Sequence, residues 1–368
     1  MIGVEVVFIK ALAAFLVVVI SVLLYFNLQI EKPTQFNKEF HGKQFSTFYM
    51  DYGEEKIEIA MIGDVLLHLP LYNYMSFIPS FSPVLDELKS IDLLIANQES
   101  LPAGGAFGVS GYPNFSSPPH IIGDLKDAGV DVLSIANNHT LDQGEEGLLE
   151  AIQQMEKVEM PYIGAYKSIE DQQADRIFQV DNISLGLLGY TYGTNGHETP
   201  EGKGYLVNQI DENRIVGDIE ELKAKVDFVI VSIHWGAEYN LEANDTQKKL
   251  AQSIADAGAD IIFGHHPHVI QPYELIISES GHRTHVFYSL GNFFSGQKDE
   301  YTNIGGIAKI EVLKKNVNGE QVMTIENPSF ISTAVMKGET YTVNFLKDVE
   351  GEIGKTDAWV QQHVFGVK

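Results

Sequence analysis

Asp64, His68, Glu99, Asn138, His139, His234, His265, His266 and His268 are residue types that bind and activate divalent cations. The set takes in half of the chain's 12 histidines, a concentration that chance placement along 368 residues does not readily produce. Carboxylate, imidazole and amide donors without thiolate suit manganese, iron or zinc. Two such ions about 3.5–4 Å apart usually share a carboxylate and activate a water for in-line attack on phosphorus. A histidine left off the metals can serve as general acid for the leaving oxygen. Taken singly the residues say little. Asp64 after Gly63 could cap a helix, Asn137-Asn138 could form a turn, and Glu99 could face solvent. Their common placement carries the reading.

That placement is the end of an apolar run. Ile57–Ile62 leads into Gly63-Asp64, Leu93–Ala96 into Asn97-Gln98-Glu99, and Val130–Ala136 into Asn137-Asn138-His139-Thr140-Leu141-Asp142. Phe228–Ile233 leads into His234-Trp235-Gly236, Asp260–Phe263 into Gly264-His265-His266-Pro267-His268, and His285–Ser289 into Leu290-Gly291-Asn292. Ser184–Tyr190 is a further strand-like run. Helical spacing marks Ser82–Lys89, His120–Ala128, Glu145–Lys157 and Thr246–Ala257, the last stopped by Gly258. Strands alternating with helices predict an α/β fold. Loops at the carboxyl ends of its strands face one crevice, where distant residues can meet. After Asn292 the texture becomes β-hairpin, with Gly306–Leu313 and Gln321–Ile325 joined at Asn318-Gly319.

Composition narrows the function. Hydrophobic content of 44% and charged content of 20% are those of a globular chain. The absence of cysteine excludes disulfides, zinc–thiolate sites and a thiol nucleophile. A formal charge of −25 argues against nucleic-acid binding, which needs a lysine- and arginine-rich surface. It also opposes direct capture of a polyanion unless cations intervene.

The N-terminal segment differs from the rest. Ala11 to Phe26 is free of charge, and the apolar stretch reaches back past Lys10 and forward to Ile30. That length suits a membrane helix of about 20 residues, and no small-residue cleavage site follows it. The expected organisation is a membrane anchor over 1–30, a tether over 31–55, a catalytic-type domain over 56–296, and a β-rich extension over 297–368 that completes the fold. The expected location is the cell membrane, single-pass, with the main domain on the extracellular face.

The blocks Gly63-Asp64…His68, Asn97-Gln98-Glu99, Asn137-Asn138-His139, His234-Trp235-Gly236, Gly264-His265-His266-Pro267-His268 and Leu290-Gly291-Asn292 resemble the CapA/PgsA-type poly-γ-glutamate capsule biosynthesis family, itself similar to the calcineurin-like metallophosphoesterases. The resemblance runs from about Ile57 to Phe294. It implies a four-layer αββα sandwich of metallophosphoesterase type with two divalent metal ions. It further implies catalytic roles for His139 and His68, and metal ligation by Asp64, Glu99, Asn138, His234, His266 and His268. Supporting or alternative positions fall to His265, Asn97, Asp142 and Asn292. His265 and His266 compete for one ligand position, and His266-x-His268 keeps the phosphoesterase spacing. The sequence departs from that pattern in placing His68 four residues after Asp64 and in offering Asn97-x-Glu99 where phosphoesterases have aspartate.

The implied role is assistance to the synthesis or export of poly-γ-glutamate. No Gly-x4-Gly-Lys-[Ser/Thr] phosphate loop is present, so ATP-driven ligation would belong to membrane-bound synthase-type subunits. An anionic polymer or a small phosphorylated molecule would be the ligand. The alternative is an extracellular metal-dependent phosphoesterase acting on a small phosphorylated substrate. Whether the site hydrolyses anything stays open at this level.

Overall fold

The computed structural model describes residues 55–317 and 320–366. The anchor and nearly all of the tether expected from the sequence lie outside the described residues, as does the Asn318-Gly319 turn. Among the described residues, no helix is long and apolar enough to cross a membrane.

In chain order the strands are β1 (Glu55–Leu66), β2 (Leu93–Gln98), β3 (Val132–Ser134), β4 (Tyr162–Ile163), β5 (Ile177–Val180), β6 (Ile183–Thr191) and β7 (Phe228–His234). They continue as β8 (Ile261–His265), β9 (Ile270–Ile277), β10 (Arg283–Leu290), β11 (Asn292–Ser295), β12 (Ile304–Val317), β13 (Glu320–Met336) and β14 (Thr342–Phe345). The fold is mixed α/β with two sheets. An 8-stranded sheet has the order β14-β13-β12-β1-β2-β3-β4, with β11 also paired to β1, and a 6-stranded sheet has the order β5-β6-β7-β8-β10-β9. Strands β1 to β4 run parallel in the first sheet, and β6, β7, β8 and β10 run parallel in the second.

Side chains of a strand alternate between faces, and here both faces are buried. In β1, Ile57, Ile59 and Met61 enter one apolar cluster while Ala60 and Ile62 enter another. The shared cluster brings these together with Leu185, Leu187, Ile230, Phe263 and Phe287 from the second sheet, so it lies between the sheets. The opposite face of the first sheet packs on Leu125, Leu148 and Ile152 of helices Ile121–Asp127 and Gly144–Lys157. The outer face of the second sheet packs Val229, Val231 and Ile262 on Ile219, Leu250 and Ile254. Each such aliphatic side chain contributes about 1.5–3 kcal/mol when fully removed from water.

Helix Asp245–Ala257 shows how local sequence sets an element. Asn244 and Gln247 form a reciprocal capping box at its start, and Gly258, at φ +98, ends it in a left-handed turn. Helix Glu212–Lys223 is capped by Asp211 and buries Ile215, Ile219 and Leu222 on one side.

The chain after residue 296 belongs to this core. Strand β12 pairs antiparallel with β1 over the whole span from Glu55↔Lys314 to Ile62↔Ile307. The segment is not only β: helices Leu346–Ile353 and Asp357–Phe365 follow, and the second packs on β9 and β13.

Candidate metal centre

Polar residues at or just beyond the carboxyl ends of β1, β2, β3, β7 and β8 meet at one edge of both sheets. Asp64 stands at an irregularity of β1, where the register shifts against both β2 and β11. A bulge of this kind re-aims one side chain without ending the strand. The backbone there approaches closely. A Cβ on Gly63 would lie 2.2 Å from the carbonyl oxygen of Gly291, so only glycine fits.

Asp64 is fully buried, and three side-chain donors reach its carboxylate. Oδ1 accepts from Asn97 Nδ2 at 2.8 Å and from His265 Nδ1 at 3.0 Å, while Oδ2 accepts from His268 Nδ1 at 3.2 Å. Burial works to raise its pKa, but the hydrogen bonds from His265 and His268 more than offset that and hold it well below the usual carboxylate range. Strands β1 and β8 are thereby stitched together across the two sheets.

Glu99 is the contrasting case. It is fully buried, and neither carboxylate oxygen has a hydrogen-bond partner. Its Oε1 lies 3.5 Å from His234 Nε2 and 3.7 Å from His268 Nε2. Burial pushes its pKa well above the ordinary value against the pull of His268, and Asp64 adds to the rise. His268 is raised to about 9, because Glu99 and Asp64 overcome the opposing effect of burial.

The Asn137–Asp142 loop is built by its own side chains. The Asn137 amide N–H donates to Thr140 Oγ1, Thr140 Oγ1 donates to the Ile135 carbonyl, and Asn137 Nδ2 donates to the Gln98 carbonyl. The loop is therefore rigid where it presents Asn138 and His139. Asn138 Oδ1 sits 2.8 Å from His234 Nε2. A hydrogen bond satisfies that distance, and so does shared ligation, since two atoms about 2.1 Å from one ion at right angles are about 3 Å apart. His139 Nδ1 donates to Asp142 Oδ2 at 2.7 Å, and Asp142 also accepts from the Phe115 amide. That pair fixes the imidazole and leaves Nε2 for other chemistry.

The histidine loop after β8 separates three roles. His265 is engaged on both ring nitrogens, by Asp64 and by Met61 Sδ at 3.4 Å. His266 Nδ1 is buried without a partner, and burial lowers its pKa to about 3. His268 bonds Asp64 and, at 3.1 Å, Asn292 Oδ1. His266 and His268 have φ of 98° and 58°, a left-handed conformation that non-glycine residues rarely keep without support from their surroundings. Gly264 makes the approach possible: a Cβ there would fall 2.0 Å from the Tyr288 carbonyl oxygen. His68 stands apart from this cluster. It lines the cleft above, with Nδ1 3.0 Å from the Leu66 carbonyl oxygen, and burial lowers its pKa to about 4.

Two sets of ligand atoms lie within 4.8 Å of one another, Glu99–His266–His268 and Asp64–Glu99–His234. They share Glu99. The unpaired oxygens of Glu99, the unpaired nitrogen of His266 and the mixed oxygen–nitrogen donor set fit divalent cations, which would satisfy groups that are otherwise costly to bury.

Several residues around the centre carry no signal in the sequence. Phe115 packs edge-on to His139 at 4.7 Å and to His68 at 5.4 Å, from a loop with no periodicity. Asn195 Oδ1 accepts from Asn138 Nδ2 at 3.4 Å, and its Nδ2 lies 3.5 Å from His139 Nδ1. Tyr192 covers His266 with ring centres 4.6 Å apart. Ser232 Oγ donates to Ser134 Oγ at 2.8 Å, a buried link between the sheets.

Comparison with known proteins gives a consistent family. Residues 58–297 match the model described as "Bacterial capsule synthesis protein PGA_cap", well over half of the chain. The chain is 36% identical over 237 residues to the PGA biosynthesis protein CapA of Bacillus subtilis, covering 61% of this chain and 59% of that protein. It is 30% identical over 259 residues to the capsule biosynthesis protein CapA of Bacillus anthracis, covering 66% and 61%. The matched region thus spans about three fifths of these relatives. Among solved structures, a sulfate thiohydrolase SoxB of Thermus thermophilus superposes with a TM-score of 0.39 and 15% identity, over 67% of this chain and 41% of that one. So loose a superposition has no bearing on function.

Proposed function

The chain belongs to the CapA/PgsA family of bacterial capsule synthesis proteins, and from that premise we propose that it is an accessory protein of poly-γ-glutamate capsule biosynthesis built around a dinuclear, hydrolase-type metal centre. The observation that carries the centre is Glu99, a buried carboxylate with both oxygens unpaired between two imidazoles. In this reading the helices and two sheets form the four-layer αββα sandwich of the metallophosphoesterases.

Asp64, Glu99, Asn138, His234, His266 and His268 would hold two divalent cations of manganese, iron or zinc type. When bound, such ions polarise a phosphoryl oxygen and lower the pKa of a water molecule. The chain's own residues do the rest. Asn97 and His265 orient Asp64, and Asn292 orients His268. His139, held by Asp142, would deliver a proton from Nε2 to the leaving oxygen, with His68 as a second imidazole on the cleft wall. The transfer needs the ring protonated on both nitrogens, with Nδ1–H held by Asp142 and Nε2–H left for the leaving oxygen.

We place the chain at the cell membrane through the apolar segment before residue 30, with the described domain on the extracellular face. Its partners would be membrane-bound polyglutamate synthase-type subunits, since the sequence has no phosphate loop for ATP-driven ligation. A second reading, a phosphoesterase acting on a small phosphorylated substrate outside any capsule pathway, draws on the same centre. Metal analysis of the purified protein, a phosphoester hydrolysis panel, and capsule yield in cells carrying Asp64→Ala or Glu99→Ala separate the two. Loss of capsule together with loss of metal supports the accessory role. Unchanged capsule with metal-dependent turnover supports the phosphoesterase, and a protein that binds no divalent cation removes both.

A further inference from the structure

The cleft leading to the centre has a composition that neither the metal ligands nor the family explains. Its volume is about 480 Å³, within the range of about 300–1,000 Å³ usual for small-molecule sites. Leu69, Tyr112 and Tyr239 line it while being 58%, 79% and 44% exposed. Large apolar groups gathered at one exposed place mark a binding surface more often than scattered ones do.

Two runs of aromatic groups lead down to the chemistry. Tyr112 packs edge-on to Phe115 with centres 6.5 Å apart, and Phe115 meets His139 at 4.7 Å. Tyr239 lies 6.2 Å from the His268 ring. Its backbone, at φ +62, donates an N–H hydrogen bond to the Pro267 carbonyl at 2.8 Å, so the histidine loop itself sets the position of this ring.

The polar lining argues about charge. Glu238 and Asp299 flank the cleft together with Lys298. A ligand charged along its whole length would meet two carboxylates and a row of apolar rings. A ligand with one anionic head and a flat apolar body would place the head at the cations and the body against the tyrosines, which bind such groups by stacking.

We propose that Tyr112 and Tyr239 form a specificity subsite for a small phosphorylated molecule whose leaving portion is planar and apolar, and that the γ-linked polymer is not the ligand of this cleft. The inference rests on the reading of the centre as a divalent-cation site. It confines the chain's contribution to capsule formation to a small molecule and places polymer handling elsewhere.

The test is equilibrium binding of phenylphosphonate and methylphosphonate, neither of which can be hydrolysed as an ester, to the manganese-loaded full chain. Manganese binding is measured separately for every protein. Phenylphosphonate should bind about 10-fold more tightly than methylphosphonate, the preference that two aromatic contacts supply. The preference should fall to within about 2-fold in the double variant Tyr112→Ala/Tyr239→Ala and persist in Tyr112→Phe/Tyr239→Phe, because ring stacking survives loss of the hydroxyl. A γ-linked glutamate oligomer at matched carboxylate concentration should not displace phenylphosphonate. Equal affinities, an undiminished preference in the alanine variant, or displacement by the oligomer would each overturn the subsite. A parent protein that binds manganese but neither phosphonate also overturns it. One that binds no manganese overturns the metal centre beneath it.

Discussion

Glu99 sits at zero exposure with no hydrogen bond to either carboxylate oxygen, while Asp64, also at zero exposure, has three side-chain donors. The two carboxylates therefore respond differently to substitution. Glu99→Gln keeps the shape and replaces a desolvated carboxyl group with a neutral amide, so the metal-free protein should be at least as stable as its parent. The same variant should lose at least tenfold in manganese affinity. Thermal unfolding in chelator, paired with metal analysis, checks both halves, and a metal-free variant less stable than its parent would refute the first. His285 gives a second prediction, away from the centre. Burial, aided by Arg283, lowers its pKa from 6.5 to about 4, and its Nδ1 lies 2.8 Å from the Tyr273 hydroxyl, which donates to the neutral ring. Between those two values the unfolded chain takes up a proton that the folded chain refuses. The stability from this group is complete above about pH 6.5 and is lost as pH falls toward 4. In His285→Gln the fall of Tm from pH 7.5 to about 4.5 should be shallower than in the parent; parallel curves would show that the group does not contribute.

The elements show which parts of the fold can be read from sequence. Strands such as β7 and β8 are largely apolar because both faces are buried, with Ser232 the one hydroxyl in β7, so the histidines that end them, His234 and His265, stand out. Helix Asp245–Ala257 is legible for the same reason, with a cap, an apolar stripe and a terminal glycine. Helix Glu212–Lys223 is not. Its stripe of Ile215, Ile219 and Leu222 is thin among acidic residues, and only packing on the second sheet makes it decisive. Strand β9 mixes Gln271, Pro272 and Glu274 into its run because it is an edge strand, where one side is open and proline is tolerated. Within the site, imidazole and carboxylate residues that follow strands are visible from spacing, whereas Phe115 and Asn195 arrive on loops whose course depends on the finished fold, and Tyr192, though it directly follows β6, has a side chain that does not mark a metal site. The close approach at Gly264 is likewise invisible until β8 lies beside β10. Gly264→Ala should destabilise the protein by about 2–3 kcal/mol through overpacking. It should also weaken metal binding by displacing His265 to His268. A variant with parental Tm and metal content would show that the strand can shift freely.

At the scale of the whole molecule, the region matched to the family ends at residue 297, but the core does not. Strand β12 pairs with β1 from Glu55 to Ile62, and the last helix sends His363 Nε2 to the carbonyls of Leu241 and Ile270, beside the loops that form the cleft. Removing residues from 298 onward would leave β1 without one neighbour and bare Ile57, Ile59 and Met61 between the sheets. Such a chain should be recovered unfolded or aggregated, as judged by circular dichroism and gel filtration. A soluble, cooperatively melting fragment would contradict this account of the core.

The bond between Asp64 and His265 joins residues 201 positions apart. Its consequence concerns the order of events during folding. Contacts so distant form only after much of the intervening chain has been ordered, since closing the loop must precede any gain from it. No early fragment presents enough donors to capture an ion, so metal has nothing to template. Manganese supplied during refolding should leave the folding rate unchanged and slow unfolding instead, the signature of an interaction absent from the transition state. Acceleration of the folding arm in stopped-flow experiments would place the meeting of the two sheets much earlier along the route.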